Sequence, residues 1–182
     1  MTLLILGLVL WFAGHVFKRA MPAARESLGD IGKSVVAILI LAGLVMMVIG
    51  YRGLETPQVW YPPAWTVHVN NLLVLIGFYL FAVSGTKARL ATRMRHPQLT
   101  GFKAWALAHL LVNGDLASVV LFGGLLAWAV VEVIVINRAQ PAWTPPAWGG
   151  PSAEVKAVVG AVVLFGVVAF LHTWFGYWPF PG

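Results

Sequence analysis

Long apolar runs, divided by short basic connections, constrain this chain more than anything else in it. Six stretches approach the roughly 20 apolar residues that a membrane-spanning helix needs. They are Thr2–Phe17, Val35–Tyr51, Thr66–Gly85, Gly101–Asn113, Leu116–Ile136 and Val155–Tyr177. The first and fourth are short: Gly101–Asn113 rises only about 20 Å as a helix. Pro97 suits a first helical position and moves the predicted start of that helix back. A chain of 182 residues that is 60% hydrophobic and 10% charged lacks the polar surface of a soluble globule, in which about 25% of residues are charged. It also lacks the low hydrophobicity and high net charge of a disordered one. The expected fold class is all-α: a polytopic transmembrane helix bundle of about six spans, one domain over residues 1–182.

The basic residues sort by connection. Lys18, Arg19, Arg25 and Lys33 fall between the first and second runs. Lys87, Arg89, Arg93 and Arg95 fall between the third and fourth, with Lys103 just beyond. Arg138 and Lys156 flank the last connection. One side of the membrane therefore collects eleven of the twelve Lys and Arg residues, and only Arg52 falls on the other. The positive-inside rule makes the basic side cytoplasmic and puts both termini outside. The same topology accounts for the net charge of +6 without nucleic acid as a partner; the expected partner is the lipid bilayer. The first run carries its basic pair after the apolar segment, which suits an anchor rather than a signal peptide.

Two loops, Pro57–Trp65 and Pro141–Trp148, are rich in Trp and Pro, and each contains Pro-Pro-Ala-Trp. The repeat is too short to define a duplicated unit. Interfacial Trp belts, with Pro ending helices, account for it, and for the tail Trp174–Pro181 as well.

Polar residues inside a bilayer are costly and therefore candidates for function. No cysteine is present, which removes disulfides, thiolate metal sites, iron–sulfur clusters and cysteine nucleophiles. No paired carboxylates, phosphate loop or Ser-His-Asp arrangement is suggested. Glu132 is expected near a helix end, where it snorkels or meets Arg138, and Asp115 is expected to cap the helix from Leu116. Small residues such as Gly123, Gly124 and Ala127 suit either helix packing or a lipid-accessible slot.

The histidines dominate what is left: His15, His68, His96, His109 and His172. Counting along the runs puts His15, His96 and His109 in the inner half of the membrane and His68 and His172 in the outer half. Gly101, Trp105, His109 and Asn113 share one helix face, and a stripe holding two polar residues cannot face lipid cheaply. A neutral imidazole at that depth is either a buried structural histidine or a ligand; it is the usual ligand for haem iron. His15 and His109 lie within reach of one iron in this reading, with Trp105 against the ring. Copper would use the same residues, whereas zinc and non-haem iron are poorly supplied with donors. Arg93 and Arg95 are either topology charges or partners of haem propionates. Pro97 biases His96 away from helical geometry, so His96 is expected at the boundary, orienting a propionate, a partner loop or a water.

The run Arg95-His96-Pro97 through Gly101, Trp105-Ala106-Leu107-Ala108-His109-Leu110 and Asn113-Gly114 resembles the signature of the NnrU family of bacterial membrane proteins. Leu121-Phe122-Gly123 continues the pattern, and Phe12-Ala13-Gly14-His15 matches a second family position. The family's distant relatives include the plant and cyanobacterial 15-cis-zeta-carotene isomerases. The resemblance implies a non-covalent haem b with His15 and His109 as axial ligands, in a multi-pass protein of the bacterial inner membrane. It further implies a redox-switched cis–trans isomerase acting on a lipophilic polyene. Alternatively, it implies a non-enzymatic haem protein for electron transfer, sensing or accessory work in nitrite and nitric-oxide reduction.

Overall fold

The computed structural model describes residues 1–181. Among the described residues seven α-helices form: α1 Thr2–Ala20, α2 Pro22–Ser27, α3 Ile31–Tyr51, α4 Thr66–Thr86, α5 Pro97–Val112, α6 Leu116–Ala139 and α7 Pro151–Trp174. A 3-10 turn, Arg89–Thr92, lies between α4 and α5. Among the described residues no β-strand forms; one isolated bridge joins Gln58 to Asp115. Five helices, α1, α3, α4, α6 and α7, are long and apolar enough to cross a membrane. The sixth expected span, α5, has 16 residues and a length of about 24 Å, short of a hydrocarbon core of about 30 Å.

Local sequence explains the boundaries. Pro22, Pro97 and Pro151 each open a helix at a position where a missing N–H costs nothing. Asp115 caps α6 as expected, accepting from the Ser118 amide at 2.9 Å. α4 ends on Lys87, a non-glycine residue in the left-handed region (φ 59°). α7 ends through Gly176 (φ +87°), and the Tyr177 amide donates back to the His172 carbonyl at 2.8 Å. The two short pieces, α2 and the 3-10 turn, go beyond the apolar runs because they are polar turns within connections.

The chain divides into two compact units. Unit 1 is Met1–Trp60 with Gly114–Pro141, and unit 2 is Tyr61–Asn113 with Ala142–Gly182. In unit 1, α1 packs along both α3 and α6. Gly7 and Gly43 bring α1 and α3 to backbone contact: a Cβ on Gly7 would lie 2.8 Å from the Gly43 carbonyl. Gly124 packs against Leu8, whereas a Cβ on Gly123 would meet nothing within 4 Å. In unit 2, α4 packs along α5 and α7, which scarcely touch each other. Gly77 and Gly101 face each other across the α4–α5 crossing, where a Cβ on Gly101 would lie 2.6 Å from the Gly77 carbonyl.

Candidate functional site

In unit 2, His109 is the thirteenth of the sixteen residues of α5, one turn from its C-terminal end. Its Nδ1 donates to the Trp105 carbonyl at 3.0 Å, and the two rings lie 4.9 Å apart. The residues four apart do share one face, and Trp105 stands beside the imidazole. Asn113 closes the same face, donating from Nδ2 to the His109 carbonyl at 2.8 Å.

The structure also brings His109 to His172 of α7, with ring centroids 6.5 Å apart. Counting along the apolar runs had put these two histidines in opposite halves of the membrane. His109 lies about 18 Å up α5 from Pro97, at the same end of unit 2 as the last turn of α7. His172 repeats the His109 arrangement, with Nδ1 donating to the Val168 carbonyl at 2.8 Å.

A groove of about 280 Å³ lies directly below this pair. The residues one turn before each histidine, Trp105 and Val168, line it. Phe78, Phe81 and Phe102 form its walls, with Gly77 and Gly101 beside them. It exists because α5 and α7 both lean on α4 without closing on each other.

His15 lies in unit 1 and has the same local geometry: Nδ1 donates to the Trp11 carbonyl at 2.9 Å. Its ring packs between Trp11 (4.3 Å) and Trp128 (4.6 Å). One turn further along these helices, Arg19 meets Glu132 at 2.7 Å. This corrects the expectation for Glu132. It is a buried residue paired with Arg19, because α6 continues two turns beyond it to Ala139 and its side chain faces α1.

His96 is the N-cap of α5 with φ −126° and ψ 59°, outside helical geometry as Pro97 requires. Arg93 and Arg95 precede it, so all three sit at the end of α5 remote from His109. His68 lies in the first turn of α4, at the end of unit 2 that carries His172. Sequence reasoning missed the His109–His172 approach, the Arg19–Glu132 pair and the role of Trp148. The Trp148 indole donates to Glu154 at 2.8 Å while Arg89 stacks over its ring at 4.7 Å. The first two, and the stacking of Arg89 on Trp148, depend on contacts distant in sequence.

Histidine is anchored the same way at three places. A backbone carbonyl that takes the Nδ1 proton leaves Nε2 as the basic nitrogen, the usual outer-shell arrangement of a metal-binding histidine. Among the described residues no three His, Cys, Asp or Glu side chains come together.

The helices and their histidine stripes define a multi-pass α-helical membrane protein. A family model described as NnrU protein matches residues 3–179, and the chain belongs to the NnrU family. Comparison with curated proteins gives no match, and comparison with solved structures gives none either.

Proposed function

We propose that this NnrU family member holds a non-covalent haem b with His109 as one axial ligand. The observation that carries the reading is the Nδ1–H bond from His109 to the Trp105 carbonyl, which fixes the ring and directs basicity to Nε2. The family resemblance gives His15, anchored identically on Trp11, as the second ligand. The 6.5 Å approach of the His172 ring favours that residue as the competing partner. Bound haem supplies an iron that changes between the ferric and ferrous states. The chain's own contribution is to orient the imidazoles, to pack Trp105 beside them and to keep water out with apolar walls. Arg93, Arg95 and His96 are left out of the propionate site, since about 18 Å of α5 separates its start from His109.

The apolar groove beneath Trp105 supports the isomerase reading, with a lipophilic polyene as substrate. Electron transfer or accessory work in nitrite and nitric-oxide reduction is the second reading, supported by the anchored histidines that suit a closed, six-coordinate iron. In either case the protein sits in the bacterial inner membrane with its basic connections in the cytoplasm and both termini outside.

Spectroscopy on protein made with ample haem tests the proposal. We expect a sharp Soret band, low-spin α and β bands on reduction, and haem that extracts into acidified organic solvent. His109→Ala should abolish or convert the spectrum. Loss in His15→Ala assigns the second ligand to His15, and loss in His172→Ala assigns it to His172. A colourless, folded protein overturns the haem site. Conversion of a cis-polyene by the reduced protein decides for the isomerase, and no conversion decides for the second reading.

A further inference from the structure

The charges of unit 2 are segregated. Its sequence holds six cations, Lys87, Arg89, Arg93, Arg95, Lys103 and Lys156, and one carboxylate, Glu154. All seven lie in the α4–α5 connection or in the first two turns of α5 and α7. The opposite end of the unit, where α4 begins and α5 and α7 finish, contains no Lys, Arg, Asp or Glu.

Glu154, which attracts Arg89, offsets at most one of the six cations. Its Oε1 accepts from the Arg89 backbone amide at 2.6 Å and from the Trp148 indole at 2.8 Å. Among the described residues, no side-chain nitrogen of Lys87, Arg89, Arg93, Lys103 or Lys156 lies within 4.0 Å of a carboxylate oxygen. Lys87, Arg89, Arg93 and Lys156 are exposed. Position limits what can neutralise them. Beside the rim, the lateral face of α7 is apolar and open, with Val155 63%, Val158 53% and Val162 56% exposed. The cations therefore stand where an apolar girdle ends, which is the depth of lipid phosphates. Trp148, stacked under Arg89 and 42% exposed, has the amphipathic character of an interfacial Trp.

We propose that this rim binds the headgroups of anionic phospholipids. The phosphate diester supplies the negative charge that the unit's own sequence withholds, and the acyl chains lie on the exposed valines of α7. Each cation near an anionic surface contributes a roughly fivefold preference, so the rim discriminates anionic from zwitterionic lipid.

The test uses the full chain in vesicles of phosphatidylcholine with 30% phosphatidylglycerol, and measures by spin-labelled lipid which headgroup the protein immobilises. We expect phosphatidylglycerol to be preferred several-fold. The triple change Lys87→Gln, Arg93→Gln, Lys156→Gln should lower that preference at least about fivefold. The charge-keeping set Lys87→Arg, Arg93→Lys, Lys156→Arg should retain it, as should Arg52→Gln in unit 1. Equal immobilisation of both lipids by the wild-type chain overturns the proposal. So does loss of preference in the charge-keeping set, or displacement of phosphatidylglycerol by millimolar inorganic phosphate, which would identify a free-phosphate site instead.

Discussion

Glu132 sets one carboxylate oxygen against Arg19 and leaves the other, Oε2, buried with no hydrogen-bond partner. The side chains of the pair are 7% and 25% exposed, so neither charge is well solvated. Removing one member strands the other, at a cost of about 3–5 kcal/mol, whereas replacing both with apolar residues of similar size is often neutral. We therefore expect Arg19→Met to lower the thermal unfolding temperature sharply in detergent, and Arg19→Met with Glu132→Met to recover most of the loss. A double variant no more stable than the single one would show that the pair is not the unit of stability. Composition and run length mark Glu132 as an unusual charge but cannot name a partner 113 residues away. The stripe Trp105–His109–Asn113, by contrast, was legible, because residues four apart in a helix share a face whatever the tertiary fold. The approach of His172 to His109 was not, since it depends on how α5 and α7 lean against α4.

Two helix features carry measurable consequences. At the start of α6, burial works to raise the Asp115 carboxyl, but the Ser118 hydroxyl and amide and the Thr56 hydroxyl all donate to it and hold it below the usual carboxylate range. With the folded value below the unfolded one, the stabilisation is complete above the unfolded value and disappears as pH falls through the folded value. Unfolding followed from pH 6 downward should show this loss in the acid range. Asp115→Asn should flatten it, and Asp115→Ala should cost about 1 kcal/mol at neutral pH. At the α4–α5 crossing, Gly101→Ala would push a methyl against the Gly77 carbonyl. A cost of about 1–3 kcal/mol is expected there, while Gly123→Ala, facing open space, should change stability by less than about 0.5 kcal/mol. Circular dichroism melts of the two variants make the comparison. The helices themselves were readable from their apolar runs, and the Asp115 cap from its place before Leu116. The crossings were not, because nineteen glycines are spread along the chain and only the packed structure shows which of them face another backbone.

Across the whole chain, sequence order and spatial grouping run differently. Each unit is made of two separated segments, so the polypeptide passes from unit 1 to unit 2, back to unit 1, and out to unit 2 again. The family match covers both units in a single stretch. The apolar runs show how many helices there are, but not which of them pack together, since each is hydrophobic around most of its circumference and no face announces its neighbour. This interleaving has a consequence for how the protein is made. Arg19 leaves the ribosome with α1, and its counter-charge on α6 follows only after α3, α4 and α5 have emerged. The ion pair of unit 1 therefore cannot form until the chain has been made as far as α6, which places its closure late in synthesis.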